Sequence, residues 1–248
     1  MNTAPAPDPR ADLTERLLAG TPPTDGEAGW AREAREAARQ RLTTMGAPMR
    51  RDEYWKYTDP GALTAPKTVA PPLDDTPPAG SLTVEGAARF VFANGRLRPD
   101  LSSEGVAGAE FMALERALGA DISFAKGLFG QLEAAGHEKV ARPLAALNTA
   151  VASEGLALRA TDTLPAPIHL HYAQVGDGAA MLHHLIRVES GAEVTLIESG
   201  EATSTVMEVD VAPGGVLHHV RLQSGARQPA VTHVFARVCE GATFKTFT

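Results

Sequence analysis

Histidines are the residues of this chain whose type and spacing most strongly suggest metal binding. Seven of the eight follow residue 153, in runs such as IHLHY, LHHLIRV and LHHVRL. Residues two apart share one face of a β-strand, so His169 and His171 can in principle reach a single metal ion. The alternating apolar residues Ile168, Leu170 and Tyr172 predict that the pair faces outward, and no glutamate follows at the spacing of a cupin-type site.

Adjacent histidines cannot share a ligand position, because neighbours in a strand point to opposite faces. His184 and His218 have the parity of the apolar residues around them, which predicts that both are core or edge histidines. Their neighbours His183 and His219 are then expected on the surface.

The single cysteine, Cys239, is a further candidate ligand. It shares parity with His233 and Arg237, which predicts that all three lie on an outer face. Along an extended strand Cys239 and His233 are about 20 Å apart, too far to hold one ion. The metal candidates are therefore His169, His171 and Cys239, and a lone, partly exposed thiol is the plainer interpretation of Cys239.

The composition excludes several classes of protein. The sequence has no phosphate loop, nucleophile elbow or C-x-x-C pair, so we assign no catalytic residue and expect no enzyme. Its net charge of −7 argues against a nucleic-acid binder, since such proteins displace counterions with Lys and Arg. Without a leader or a long apolar stretch, we expect a cytoplasmic protein that does not enter a membrane.

The N-terminal part indicates a tail followed by helices. Residues 1–25 are rich in Pro and Ala, which predicts a disordered tail. Residues 26–152 form a helical region that opens with an amphipathic helix, whose end is predicted at Gly46.

Two irregular segments interrupt this helical region. Prolines remove backbone donors over residues 61–80, which predicts a linker. Within residues 88–98 the Asn94-Gly95 pair follows a β-rich arm and favours a type I′ turn, so a small hairpin is expected there.

Residues 153–248 have a different character. Val, Ile, Leu and Thr alternate with period two, and glycines recur at the corners between strands. Recurring corners suggest the coils of a β-solenoid, but an antiparallel sandwich or a barrel has similar strand statistics. The pattern alone leaves these folds open.

The segment RRDEYWKYTDP, residues 50–60, concentrates aromatic and charged side chains. One interpretation is an anchor in which Trp55 pins the helical region to the body while the basic head groups stay in water. The other is a surface that docks a partner or nucleic acid. We favour the anchor.

The longer run GAPMRRDEYWKYTDP resembles the signature near the N-terminus of the SufD branch of the SufB/SufD family, which assembles iron–sulfur clusters. The usual leucine after the last aspartate is replaced by Pro60. Further similar stretches follow in family order: FVFANGRLRPDLS, LAALNTAVASEGLALRATDTLPAPIHLHY and HHLIRVESGAEVTLIES. The matching signature residues are Pro48, Arg50, Arg51, Asp52, Glu53, Trp55, Lys56, Tyr57, Thr58 and Asp59.

The resemblance implies a mainly β fold, a right-handed parallel β-helix preceded by an N-terminal α-helical region, and so favours the solenoid. It implies a scaffold subunit of the SUF system that pairs with SufB-like and SufC-like subunits, the latter an ATPase. The iron–sulfur cluster is implied only for the full complex, and this chain alone is expected to hold no cofactor. Family members continue beyond the point matching Thr248, so we expect the β-helix to be incomplete, and none of the family's cluster residues maps onto this chain.

Two other functions remain as alternatives. The histidine-rich strands suggest a cupin-type metal-binding β protein, and the third possibility is a purely structural interaction module that has lost cluster function. The terminal strand GATFKTFT also predicts a homodimer through the C-terminal β edge, since an unpaired edge is a template for a second chain.

Overall fold

A computed structural model describes residues 8–19, 25–65, 82–137, 140–174, 178–223 and 229–248. Helices dominate the N-terminal part, and two β-sheets form the C-terminal part. The helices are α1 Pro9–Ala19, α2 Gly29–Met45, α3 Gly61–Thr64, α4 Leu114–Gly119, α5 Gln131–Ala135 and α6 Pro143–Val151.

The C-terminal part of the chain forms a parallel β-solenoid of about three turns, which follows the N-terminal helices in the sequence. From β4 onward, successive strands alternate between the two sheets, and each pairs in parallel with the strand one coil away. The first sheet has the order β11-β9-β7-β5-β1-β2, and the second the order β10-β8-β6-β4-β3. The strands are β1 Ala88–Ala93, β2 Arg96–Leu97, β3 Ala109–Ala113, β4 Leu156–Ala160, β5 Ile168–Ala173, β6 Met181–Val188, β7 Glu193–Gly200, β8 Ser204–Val211, β9 Val216–Leu222, β10 Val231–Val238 and β11 Thr243–Phe247.

The fold class predicted from the resemblance is therefore confirmed as a mainly β protein with a parallel solenoid that follows N-terminal helices. Alternate residues of each strand fill the interior between the sheets, where Leu170, Ile186 and Val209 belong to one buried apolar cluster. Stacking buries these rows, because no single coil can cover its own apolar face.

The helices cover the outer face of the second sheet. Leu185 of β6 packs with Leu114 and Leu118 of α4 and with Phe129 in one buried cluster. A third apolar cluster joins Leu42 of α2 to α6. Both faces of the second sheet are consequently buried along much of its length.

Helix α2 ends where the sequence indicates. Gly46 follows its last residue with a φ of 71°, a left-handed conformation that glycine adopts without a steric cost. The helix also buries an arginine, Arg35, which pairs with Glu27 at 2.7 Å and donates to the backbone oxygens of Thr149 and Ala152. These bonds tie α2 to α6.

The hairpin lies at the predicted position. Asn94 and Gly95 both have positive φ, 49° and 75°, as a type I′ turn requires, and β1 pairs with β2 in antiparallel fashion. On its other edge β1 pairs in parallel with β5. The hairpin is thus part of the first solenoid sheet, and the solenoid is not confined to residues 153–248.

The predicted disordered tail over residues 1–25 is wrong for residues 9–19, which form α1. Arg10 of this helix forms an ion pair with Asp52, and the Thr14 hydroxyl accepts a hydrogen bond from the Ala47 amide at 2.8 Å. Tertiary contacts therefore order a segment whose composition favours disorder. Residues 1–7 and 20–24 lie outside the described residues, as do residues 66–80 of the predicted linker.

Candidate functional site

Polar side chains occupy part of the solenoid interior, where apolar rows are the rule. Tyr172, Glu198 and Arg221 come from three successive strands of the first sheet, β5, β7 and β9, and Glu198 and Arg221 are register partners. His219 shares the inward face of β9, and His184 enters from β6 of the second sheet. Each of the five is at most 5% exposed.

Four of these groups, all except Arg221, form one continuous hydrogen-bonded chain. The Leu156 amide donates to Nδ1 of His184 at 3.1 Å, so the neutral ring carries its proton on Nε2 and donates to the Tyr172 hydroxyl at 3.0 Å. The Tyr172 hydroxyl then donates to Oε2 of Glu198 at 2.6 Å. His219 Nε2 donates to Oε1 of the same carboxylate at 2.6 Å.

The charge states agree with this direction of donation. Burial raises the pKa of Glu198, but the hydrogen bond from His219 and the charge of Arg221 outweigh burial and lower that pKa to about 2. Burial lowers the pKa of His184 to about 4. Burial and the neighbouring Glu198 charge raise the pKa of Tyr172 well above its usual value. At neutral pH the site therefore holds a carboxylate, a neutral imidazole and a protonated phenol.

The chain of polar groups leads to a cavity between the last strands of the two sheets. Its volume is about 360 Å³, and its walls include His219, Arg221 and Thr246 of the first sheet and Thr232 and Val234 of β10. Within this wall the Thr246 hydroxyl lies 3.0 Å from Nδ1 of His219. The cavity thus connects to the buried Glu198 through one imidazole.

His169 and His171 lie on the outer face of the first sheet, as predicted, but both are buried, at 0% and 5% exposure. Nε2 of His169 and Nδ1 of His171 contact the same hydroxyl, Ser199 Oγ, at 2.7 and 2.8 Å. Burial and the charge of Arg89 lower the pKa of each to about 4. Neutral imidazoles can act as metal ligands, but the positive charge of Arg89 disfavours a metal cation beside these two rings.

Two of the predicted surface histidines are buried, which corrects that expectation. His183 lies under the helices, where its ring contacts Asn148 at 3.2 Å and Glu208 at 2.9 Å, because α5 and α6 cover the outer face of the second sheet. His219 faces the interior. His218, predicted as a core or edge histidine, is half-buried on the opposite face of β9, a strand that pairs on both sides, so that prediction is wrong as well. The core prediction for His184 is confirmed.

Cys239 is half-buried and follows the end of β10. His233 lies on the outer face of β10, as predicted, since its neighbours Thr232 and Val234 face the interior, but it is buried there, with its ring stacked 6.1 Å from that of Phe235. Among the residues that the structure describes, no group of three or more His, Cys, Asp or Glu side chains is placed to hold a metal ion.

A second polar cluster joins the helices to the solenoid through Glu208 of β8. This carboxylate, which is 0% exposed, accepts hydrogen bonds from the amides of Gly130, Leu132 and Glu133 at 2.5, 2.7 and 2.9 Å. Nε2 of His183 lies 2.9 Å from Oε1, the oxygen that also accepts from Gly130. The first turn of α5 is thereby held against the sheet by a buried acid.

Glu198 and Glu208 are not among the residues predicted from the sequence. The signal was present, since acidic residues interrupt the otherwise apolar strands TLIES and VMEVDV. Charged residues are almost never fully buried unless they are paired, so such positions indicate a buried partner.

No protein-family model matches the chain, and no curated protein matches it either. No helix of the described segments combines the length and apolar character that a membrane crossing requires.

Proposed function

We propose that this chain is a scaffold subunit of the SufB/SufD type in iron–sulfur cluster assembly. The observation that carries the proposal is the fold: a parallel solenoid behind N-terminal helices, which is the architecture that the resemblance of the DEYWKYTD segment implies. The chain's own sequence lacks a phosphate loop, which suits a subunit whose partner hydrolyses the nucleotide.

The signature segment has a structural side and an exposed side. The indole of Trp55 is 7% exposed and packs in the apolar cluster of α2 and α6, and Asp52 is paired with Arg10. Tyr57 is 91% exposed. The first half of the segment therefore supports the interpretation as an anchor, while Tyr57 and Lys56 remain accessible to a partner.

The last coil supplies a second surface for association. Strands β10 and β11 each pair on one side only within the described residues, and Val234, Val238 and Phe247 are exposed apolar side chains there. An unpaired edge with apolar side chains favours extension of the sheets by another chain. Under this proposal a SufB-like subunit pairs here, or a second copy forms the homodimer.

We prefer the scaffold to the cupin-type alternative. A cupin is an antiparallel jelly roll, whereas the solenoid strands from β4 to β11 pair in parallel. Arg89 also places positive charge beside His169 and His171.

Co-purification from cells that express the SufB-like and SufC-like subunits tests the proposal. The expected result is a complex with the SufB-like subunit that acquires an iron–sulfur cluster on reconstitution. Val238→Asp should weaken that complex, whereas Glu193→Gln, which changes an exposed charge on β7, should not. Absence of any complex with the SufB-like subunit would overturn the proposal, and a complex that never acquires a cluster would favour a purely structural module.

A further inference from the structure

Arg221 is a buried cation whose terminal nitrogens lack an acceptor in the part of the chain that the structure describes. Its side chain is 5% exposed, and neither Nη1 nor Nη2 has a hydrogen-bond partner among the described residues. The nearest acidic oxygen, Oε2 of Glu198, lies 3.9 Å from Nη1, which is too long for a hydrogen bond. Buried charged donors left without acceptors are costly, so an acceptor is expected at this place.

Glu198 is held by other donors and does not fill that role. Its two oxygens already accept short hydrogen bonds of 2.6 Å from Tyr172 and His219. Each of these donors is fixed in turn by its position on β5 or β9. The carboxylate offsets part of the guanidinium charge from 3.9 Å away, but it does not accept a hydrogen bond from the terminal N–H groups of Arg221.

The cavity beside Arg221 has room for the missing acceptor. Its volume of about 360 Å³ is many times the roughly 30 Å³ that one water molecule occupies in the liquid. The hydroxyl groups of Thr232 and Thr246 and the amide of Gln223 also line it. A guanidinium beside hydroxyl and amide donors is a set that suits an anion with several oxygens.

We propose that this cavity binds a small inorganic oxyanion, phosphate or sulfate, with Arg221 as its anchor. The planar fork of the guanidinium donates to two oxygens of such an ion side by side, and the lining hydroxyl and amide groups donate to the others. The negative charge of Glu198 lowers the affinity, so binding is expected to be weak. The inference does not rest on the scaffold function: the polar lining residues Arg221, Gln223, Thr232 and Thr246 belong neither to the signature segment nor to the exposed apolar side chains of the last coil, and Val234 is the lining residue that the two surfaces share.

Titration with inorganic phosphate at constant ionic strength, followed by the amide NMR signals of β9 and β11, tests the site. We expect saturable shifts around Arg221 and Thr246. Arg221→Gln should weaken the apparent affinity at least tenfold. Lys245→Gln, which removes an exposed charge next to Thr246 on the same strand, should change it less than twofold.

A second measurement keeps the proposal testable if Arg221→Gln does not fold. Crystals of the wild-type protein soaked in selenate should show an anomalous peak within hydrogen-bond distance of the guanidinium. A cavity without that peak, or phosphate shifts that Arg221→Gln leaves unchanged, would overturn the proposal.

Discussion

Glu198 shows how one residue can organise the interior of a solenoid. Its carboxylate is 1% exposed, and it accepts from Tyr172 and His219 while it faces the charge of Arg221. A buried anion is tolerated only when such partners surround it. Because Tyr172 lies on β5, and His219 and Arg221 both lie on β9, on the two sides of β7, Glu198 also ties successive coils together.

Replacement of Glu198 by glutamine should lower the free energy of unfolding at pH 7 by about 3 kcal/mol, since it leaves the donors and Arg221 without their counter-charge. The pKa of about 2 lies below the free value of 4.5, so this contribution is present above pH 4.5 and is lost only as the pH falls toward 2. Urea unfolding at pH 7 measures the loss. The matched variant Glu193→Gln, on an exposed position of the same strand, should have little effect, and equal losses in the two variants would contradict the prediction.

At the scale of elements, Glu208 decides how the short helix α5 sits on the solenoid. A five-residue helix has little stability of its own. The three hydrogen bonds from its first-turn amides to Glu208 stabilise the helix on the sheet.

Glu208→Gln should therefore lower the free energy of unfolding by about 3 kcal/mol, because an amide group cannot accept from all of these donors. Hydrogen exchange should also become faster at the amides of Leu132 and Glu133. The exposed Glu240 provides the control, as Glu240→Gln should leave both readouts unchanged. Unaltered exchange in α5 after Glu208→Gln would show that other contacts hold the helix.

The signature segment is a second element whose role depends on packing. Trp55→Ala should destabilise the protein by about 3 kcal/mol, as expected for the loss of a large buried aromatic side chain. Chemical denaturation checks this, with Tyr57→Ala as the control, since Tyr57 is 91% exposed and its loss should cost less than about 0.5 kcal/mol. A partner lost in Trp55→Ala at an unchanged melting temperature would instead indicate a docking role.

At the scale of the whole molecule, buried neutral histidines make the fold sensitive to acid. The pKa values of His169, His171, His184 and His233 are all lowered to about 4, with burial as the main cause. The unfolded chain, with histidine pKa values near 6.5, binds more protons between pH 6.5 and 4. Stability is therefore present above pH 6.5 and declines as the pH falls through this window.

Each of these histidines contributes on the order of 3 kcal/mol to the decline, and typical domains have only about 5–15 kcal/mol in total. We expect a clearly lower free energy of unfolding at pH 5 than at pH 7.5, measured by urea titration. The double variant His169→Asn, His171→Asn should show a flatter dependence. A wild-type stability that stays constant over this range would refute the assignment of buried neutral imidazoles.

Much of the fold follows from local patterns in the sequence. Period-two alternation and corner glycines predict the strands, and Gly46 and the Asn94-Gly95 pair predict a helix end and a hairpin turn. These signals are local because backbone geometry and side-chain parity depend on near neighbours. They left the choice between a solenoid and a sandwich open, since pairing partners lie a whole coil apart.

Tertiary structure alone decided which faces are buried and which charges meet. Alternation places His183 and His184 on opposite faces of β6. Helices α5 and α6 cover the outer face and bury His183 beside Glu208. His219 lies on the inner face of β9, where it donates to Glu198. The meeting of Tyr172, Glu198 and Arg221 depends on the register of three parallel strands. Local sequence determines which residues share a face, whereas burial depends on what packs against that face, and this is set by residues far away along the chain.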